Sequence, residues 1–244
     1  MHYVCADIHG QYEKFKRMKE KINFGPNDKM YVLGDAIDRG PDPAKCLLDI
    51  LTDSRITFLV GNHEDMMLKA FYNADNGDAT DTWFMNGAEP TINQSLEIGM
   101  TADDWNEAIL ESAYLVIPDL VVNGRHFYLT HAAHLDYVVY KPILYRTASA
   151  KDVRQAVWSR EYRYRPGPLA VEIYRSLYTA YPKTTMIFGH TPVNHCKYGK
   201  ATTHGQPRIS RFAHGHAINI DCGCAMGKTL GCLRLEDMME FYVD

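Results

Sequence analysis

The fold is decided by residues 30–40, which read MYVLGDAIDRG. An apolar run, Met30–Leu33, ends in a glycine and an aspartate, and a helical pattern of apolar residues follows Pro43. A buried strand, a polar loop and a helix in succession are typical of a βαβ unit of about 30 residues. The stretch therefore predicts an α/β protein with a largely parallel sheet.

The same pattern occurs on both sides of this stretch. Apolar runs at His2–Ala6 and Ile56–Val60 each end in polar residues, and helical patterns follow them. Runs that are apolar throughout indicate strands that are buried on both faces of a parallel sheet. Because the carboxyl ends of such strands meet at one edge, where open α/β folds bind ligands, the polar residues at that edge are expected to converge.

Shorter signals mark the middle of the chain. Residues 75–90 are rich in Asp, Asn and Gly and predict a loop. Thr101 is expected to cap a helix that runs through Leu115. Residues 123–124, Asn-Gly between two apolar runs, predict the turn of a β-hairpin whose second strand is followed by His131.

The second half is less regular. Residues 133–182 are rich in Tyr and Arg and are expected to form an insert, or cap, over the sheet. A further strand, Thr185–Phe188, is followed by His190. From Arg208 onward, short apolar runs separated by glycines predict an antiparallel meander. The chain contains no internal repeat or linker, so residues 1–244 are expected to be a single domain.

The composition excludes several classes of protein. Of the 244 residues, 46% are hydrophobic and 23% are charged, which are ordinary values for a globular protein. A formal net charge of −4 provides no electrostatic footprint for nucleic acid or an anionic membrane. No apolar run approaches the roughly 18 residues that a membrane span needs. Six scattered cysteines, and an N-terminus without a secretory signal, predict a cytoplasmic protein.

The polar residues at the strand ends have side chains that bind metal ions. Five strand ends contribute aspartate, histidine and asparagine residues, namely Asp7, His9, Asp35, Asn62, His63, His131 and His190. Hard cations prefer oxygen ligands, whereas Mn, Fe and Zn also accept imidazole, so the mixed set favours two divalent ions of this kind. A carboxylate bridges two ions best, and Asp35 lies in the middle of the series. Water held between two cations becomes hydroxide near neutral pH, which predicts a dinuclear hydrolase of phosphate esters.

The spacing of these residues is specific. Residues 34–40 (GDAIDRG) define five positions of one motif, and residues 61–64 (GNHE) define four positions of another. Each motif is expected by chance on the order of once in a thousand chains of this length, or less. Asp7 and His9 alone form a common pattern, and a lone histidine after a strand is more often structural. Their significance comes from their shared position after apolar strands.

Together, these motifs resemble the phosphoprotein phosphatase branch of the calcineurin-like metallophosphoesterases, and most of all the lambda-type and bacterial serine/threonine protein phosphatases. The similarity also includes four further segments, at residues 83–87 (WFMNG), 157–161 (VWSRE), 188–192 (FGHTP) and 220–223 (IDCG). It extends over most of the chain but is loose in the insert. The resemblance implies a four-layer αββα sandwich of mixed sheets.

The resemblance also implies a role for each motif residue. Two sets of ligands are implied, Asp7, His9 and Asp35 for metal one and Asp35, Asn62, His131 and His190 for metal two. His63 would be the general acid that protonates the leaving alkoxide, and Asp38 would hydrogen-bond this imidazole and keep it protonated. Arg39 and Arg160, together with Asn62, would bind the phosphoryl oxygens, since a guanidinium matches their geometry.

One departure from the family leaves the substrate open. Many protein phosphatases of the family have an arginine before Gly-Asn-His, where this chain has Val60, and symmetrical dinucleoside tetraphosphatases can have an aliphatic residue there. The first prediction is a serine/threonine phosphoprotein phosphatase, and the alternative is a symmetrical dinucleoside tetraphosphatase. The partner is therefore a phosphorylated protein or a nucleotide substrate. An inactive phosphopeptide-binding module is a third hypothesis, but every predicted ligand is retained.

Overall fold

Three strand-and-helix units begin the chain, as the sequence predicts. The structure, a computed structural model, describes residues 1–72, 77–161, 175–193, 202–203 and 206–244. The first six elements are β1 (His2–Cys5), α1 (Tyr12–Lys21), β2 (Lys29–Leu33), α2 (Pro43–Thr52), β3 (Ile56–Leu59) and α3 (Asn62–Tyr72). The three strands pair in parallel, with β2 between β1 and β3. The parallel half of the predicted fold is confirmed.

Helices occupy most of the segment that was predicted to be a loop. They are α4 (Gly77–Met85), α5 (Glu89–Ile98) and α6 (Ala102–Ser112). Residues 75–76 lie outside the described residues, and for residues 77–85 and 89–90 the loop prediction is wrong because tertiary packing outweighs local composition. The buried Trp83 ring packs edge-on against Phe71, with 5.4 Å between ring centroids. Thr101 caps α6 as predicted, in a capping box with Asp104.

The predicted hairpin is confirmed, with longer strands. β4 (Tyr114–Val122) and β5 (Arg125–Thr130) pair antiparallel around the Asn-Gly turn. Leu115, predicted to end the preceding helix, belongs to β4 instead, and it is fully buried there. β6 (Ile143–Leu144) adds to the other side of β4.

The described parts of the insert pack on the sheet. They include α7 (Ala150–Val153), which continues into a π-helical turn, Arg154–Trp158. Ala156 and Leu177 are buried against the sheet residues Tyr128 and Met186. The prediction of an insert over the sheet also covers residues 162–174, which lie outside the described residues, and the single-domain prediction for the whole chain stays a prediction.

The strands from Ser210 onward lie at both ends of the large sheet rather than in one meander. After β7 (Thr184–Phe188) come β8 (Thr202–Thr203), β9 (Gln206–Pro207), β10 (Ser210–Phe212), β11 (Ala217–Asn219), β12 (Leu230–Arg234) and β13 (Glu240–Val243). β10 pairs antiparallel with β11, and β12 with β13, but β11 runs parallel to β7 and β12 pairs with β1. The predicted meander is therefore wrong, because the apolar pattern of a strand does not specify its partner.

One curled sheet carries both halves of the expected sandwich. The order of its hydrogen-bonded strands is β10-β11-β7-β5-β4-β3-β2-β1-β12-β13, with β6 on β4. Parallel and antiparallel pairs both occur, so the sheet is mixed. Because strand twist accumulates across so many strands, the two halves curl until their faces meet.

Three buried clusters separate the four layers. The first outer cluster packs α1–α3 on the first half of the sheet and includes Phe15 and Val32. The inner cluster lies between the two halves and includes Leu33 and Ile187. The second outer cluster packs the insert on the other half, around Tyr128. Val32 and Leu33 are neighbours on one strand and belong to different clusters, as alternation of side chains across a sheet requires. The αββα order is confirmed.

Candidate active site

The loops after five strands meet at one edge and hydrogen-bond to one another. The amide of Asp7 donates to the carbonyl of Gly34 at 3.1 Å, and the amide of His9 donates to the carbonyl of Asp35 at 2.8 Å. In the other half, the amide of Gly189 donates to the carbonyl of His131 at 2.8 Å. The structure thus brings the predicted strand-end residues together.

Six of the predicted site residues have a left-handed backbone. Their φ angles are positive although none is glycine: Asp7 (53°), His9 (47°), Asp35 (52°), Asp38 (68°), Arg39 (65°) and His190 (68°). Such conformations are uncommon for these residue types and persist where surrounding contacts impose them, most often at functional sites. Here the inter-loop hydrogen bonds impose them.

Two motif glycines allow the loops to approach closely. A Cβ atom on Gly34 would lie 2.4 Å from the backbone nitrogen of Gly61, and one on Gly61 would lie 2.2 Å from Oδ1 of Asp35. A larger residue at either position would force the loops after β2 and β3 apart. These glycines therefore place Asp35 beside the start of α3.

Asp35 lies between two groups of histidines. Its Oδ2 is 3.4 Å from Nε2 of His9, and its Oδ1 is 3.5 Å from Nε2 of His131. Within the described chain, two groups have ligand atoms close enough for one metal ion each, namely His9, Asp35 and His63, and Asp35, His131 and His190. Asp35 belongs to both, which is the arrangement that a bridging carboxylate needs.

In the second group, side-chain nitrogen and oxygen atoms that can bind a metal ion face one another. Nε2 of His131 lies 3.1 Å from Oδ1 of Asn62 and 3.2 Å from Nδ1 of His190. Nδ1 of His131 is 2.7 Å from the carbonyl of Leu33, which can only accept, so Nδ1 carries the proton and Nε2 has its lone pair free. A cation at the centre would satisfy these lone pairs.

The first group is oriented in the same way. Nδ1 of His9 donates to the carbonyl of Ile37 at 3.0 Å, which leaves the lone pair of Nε2 directed at Asp35. Burial lowers the pKa of His9 to about 4, and burial is also the main cause that lowers the pKa of His131 and of His190. All three imidazoles are therefore neutral near pH 7, as metal ligands must be.

Buried negative charge accumulates at this edge. Burial, and then the charges of Asp221 and Asp35, raise the pKa of Asp7 well above its usual range. Burial raises the pKa of Asp221 to about 7. Burial alone would raise the pKa of Asp35 as well, but the positive charge that the neighbouring imidazoles, His131 first, carry when they are protonated at low pH holds it well below its usual range. Divalent cations would neutralise this charge, so the donor set fits divalent metal ions.

Asp7 stands apart from the two groups. Both of its carboxylate oxygens accept the backbone N–H of His190, at 3.0 and 3.1 Å, and the side chain is buried. Its predicted place as a ligand of metal one stays a prediction, while its contact with His190 shows that the loops after β1 and β7 adjoin.

His63 and Asp38 form a buried pair beside the first group. Nδ1 of His63 lies 2.6 Å from Oδ2 of Asp38. Asp38 also accepts the indole N–H of Trp83 at 2.9 Å and the hydroxyl of Thr91 at 2.6 Å. Burial would lower the pKa of His63, but the charges of Asp35 and Asp38 raise it above the ordinary value. Sequence reasoning assigned no role to Thr91, which no motif marks.

Arg39 lies across both imidazoles of the first group. Its Nη2 is 2.8 Å from Nε2 of His63, and its Nη1 is 3.3 Å from Nε2 of His9. Its Nε donates to the carbonyl of Asn86, the asparagine of the Trp-x-x-Asn-Gly motif. In this arrangement Nε2 of His63 is an acceptor, so a proton on that atom requires the guanidinium to move away from it.

Arg160 lies at the edge of the second group. The side chain is exposed, and its Nη1 donates to Oγ1 of Thr191 at 3.2 Å. Thr191 directly follows His190, so the structure brings Arg160 to the site from the insert.

Glu64 is a site residue that sequence reasoning missed. Its buried carboxylate accepts the amides of Asp35, Ala36 and Gly61, each at 2.9 Å, and that of Ile37 at 3.3 Å. Burial raises the pKa of Glu64 to about 7. The side chain holds the loop that carries Asp35 against the start of α3. Glu64 is the last residue of the GNHE motif, and this position could have identified it as a site residue from the sequence.

None of the helices in the described ranges combines the length and the apolar character that crossing a bilayer demands.

Known proteins resemble the chain in sequence and in fold. Residues 3–220 match the family described as calcineurin-like phosphoesterase. Serine/threonine-protein phosphatase 1 of Salmonella typhimurium is 33% identical over 238 residues, which cover 96% of this chain and 91% of that protein. A symmetrical bis(5'-nucleosyl)-tetraphosphatase of Wigglesworthia glossinidia brevipalpis is 48% identical over 69 residues, which cover 28% of this chain and 25% of that protein. The cold-active protein-tyrosine phosphatase of a psychrophilic Shewanella has the same fold, with a TM-score of 0.60 and 17% identity over 100% of this chain and 80% of that chain.

Proposed function

Because the chain belongs to the calcineurin-like phosphoesterase family, we propose that it is a serine/threonine phosphoprotein phosphatase that hydrolyses phosphomonoesters with two divalent metal ions. The observation that carries the proposal is the position of Asp35, whose two carboxylate oxygens face different histidine groups beside the His63–Asp38 pair. A carboxylate shared in this way can bridge two cations, which supports a two-metal site.

The metal ions would be held by the residues that converge at the strand ends. Asp7, His9 and Asp35 would hold one ion, and Asp35, Asn62, His131 and His190 would hold the other. When bound, the two cations supply the activation of water as a nucleophile and the neutralisation of phosphoryl charge. The mixture of imidazole, carboxylate and amide ligands favours Mn, Fe or Zn.

His63 acts as the general acid in this proposal. A serine or threonine alkoxide is a poor leaving group unless it is protonated as the ester bond breaks. Asp38 orients the imidazole through Nδ1, so that Nε2 is the atom that delivers the proton. Trp83 and Thr91 hold Asp38 in turn, which leaves the imidazole little freedom to rotate.

Arg39 and Arg160 bind the phosphoryl group. Arg39 contacts His9 and His63 of the first group, and Arg160 contacts Thr191, next to His190 of the second, which supports a role for both guanidinium groups in phosphate binding. The amide of Asn62 adds a neutral donor there. When a phosphoryl group draws Arg39 away from His63, Nε2 becomes available to hold the proton that the acid role requires.

The choice of substrate rests on how far each similarity extends. The likeness to a serine/threonine-protein phosphatase covers nearly the whole chain, whereas the likeness to a symmetrical tetraphosphatase is local. Val60 supports the second candidate, a symmetrical dinucleoside tetraphosphatase, because it is fully buried in the first outer cluster and offers no charge to the site.

One experiment separates the hypotheses. The metal-loaded protein is assayed in a single preparation with a phosphoserine peptide and with diadenosine tetraphosphate. We expect a higher kcat/KM for the peptide. A higher value for the dinucleotide would support the tetraphosphatase, and peptide binding without turnover would support the inactive module.

A further inference from the structure

Asp65 is a buried carboxylate that no step of the proposed reaction uses. It lies on α3 two residues after His63 and has no exposed surface. Its Oδ2 accepts the indole N–H of Trp158 at 2.7 Å and the ammonium of Lys69 at 2.6 Å, and its Oδ1 accepts the hydroxyl of Tyr145 at 2.7 Å. Burying a carboxylate is costly unless its lone pairs are satisfied, so a buried aspartate with three donors indicates a specific role.

The donors to Asp65 connect the two halves of the molecule. The residues that follow Asp65 on α3, Met66 and Met67, belong to the first outer cluster. Trp158 and Tyr145 contact both the first and the second outer cluster. The hydrogen bond from Trp158 to Asp65 therefore ties the π-helical turn of the insert to the helix that begins with Asn62 and His63.

Arg160 lies two residues after the end of this turn. The carbonyl of Ala156 accepts the amide of Ala132, which is next to His131, at 2.7 Å. Two residues after Trp158, the Arg160 guanidinium donates to Thr191, next to His190. The segment from Ala156 to Arg160 therefore contacts the residues next to His131 and His190 at its two ends. Between these ends, the Trp158 indole connects it to α3.

We propose that Asp65 is a positioning residue which, through the indole of Trp158, determines where the guanidinium of Arg160 lies relative to the two metal groups. The inference rests on the proposed function, in which Arg160 binds phosphoryl oxygens. A long side chain occupies its binding position for a larger fraction of the time when its backbone is held in place. A small displacement of such a group lowers the affinity for phosphate and the rate of reaction.

A double-mutant cycle tests the coupling. Inorganic phosphate is titrated into the metal-loaded protein by calorimetry, and kcat/KM is measured with the phosphoserine peptide, for wild type, Trp158→Phe, Arg160→Ala and the double variant. Trp158→Phe keeps an aromatic side chain but removes the five-membered ring with the N–H that donates to Asp65. We expect it to weaken phosphate binding and lower kcat/KM by about tenfold, and to have no further effect when Arg160 is already alanine.

Tyr145→Phe is the matched control. It removes another hydrogen bond from the same carboxylate, but its segment carries none of the predicted site residues, so phosphate affinity should change by less than about twofold. If Trp158→Phe does not fold, Asp65→Asn, which keeps the shape of the side chain, replaces it in the same cycle.

The outcomes distinguish this inference from the proposed function. Equal losses from Trp158→Phe in the presence and absence of Arg160 would mean that the indole is only structural, and the inference would be overturned. A wild-type protein that binds phosphate but hydrolyses no phosphomonoester would instead overturn the proposed function, while the binding cycle still reports on the coupling.

Discussion

Oδ2 of Asp38 lies 2.6 Å from Nδ1 of His63, and both side chains are almost completely buried. Two further donors, Trp83 and Thr91, hydrogen-bond to the same carboxylate. The imidazole is therefore held by a carboxylate that is itself held by α4 and α5.

The first prediction concerns the role of His63 as general acid. His63→Asn should lower kcat for a phosphoserine peptide by about 100-fold or more, because an alkoxide needs a proton to leave. The loss should be much smaller with a nitrophenyl phosphate, whose leaving group departs as a stable anion. Steady-state kinetics with both substrates provide the test, and equal losses would remove His63 from the acid role.

The second prediction concerns the bridging carboxylate. Asp35→Asn should lower the metal content of the purified protein from two ions per chain and abolish turnover, because the amide cannot offer two anionic oxygens to two cations. Elemental analysis and an aryl phosphatase assay measure these effects. Asp119→Asn, at the exposed pair with His126, is the control and should retain both ions. Full metal content in Asp35→Asn would contradict the bridging role.

The third prediction separates two buried tryptophans. Trp83→Phe removes the indole donor of Asp38, so it should lower the turnover of the phosphoserine peptide relative to that of the aryl phosphate. Trp105→Phe removes an equally buried indole whose hydrogen bond goes to Ser95, and it should leave the ratio of the two rates unchanged. A changed ratio in both variants would indicate a general packing effect rather than positioning of Asp38.

The fourth prediction concerns stability at acidic pH. Burial lowers the pKa of His134 to about 4, below its ordinary value of 6.5, so the unfolded chain binds this proton more readily than the folded one. The contribution of His134 to stability is therefore present above about pH 6.5 and is lost as pH falls toward 4, by about 3 kcal/mol in total.

Urea denaturation at several pH values measures this contribution. His134→Asn should lack this part of the pH dependence, so the difference in unfolding free energy between wild type and variant should change by that amount between pH 7 and pH 4. An exposed histidine, His126, is the control, and His126→Asn should leave the slope contributed by His134 in place. Parallel curves for wild type and His134→Asn would contradict the prediction.

The sequence was most informative where the chain alternates between strands and loops. Three apolar runs with polar ends were enough to predict β1, β2 and β3 and to place Asp35 beside Asn62, because parallel strands have their carboxyl ends at the same edge. Sequence was misleading where local composition competed with packing. Residues 77–85, which composition alone assigned to a loop, form helix α4, because the buried Trp83 indole packs against Phe71 of α3.

Residue type and strand periodicity are enough to predict which residues stand at the strand ends and which ligand chemistry they offer. How those residues face one another depends on the packing of the whole chain. The two oxygens of Asp35 point to different histidines, Arg39 contacts His63, and Asp65 joins α3 to the turn before Arg160. Each of these contacts links segments that are far apart in the chain, and their approach depends on the curl of the whole sheet and the packing of the helices on it, which no local pattern encodes.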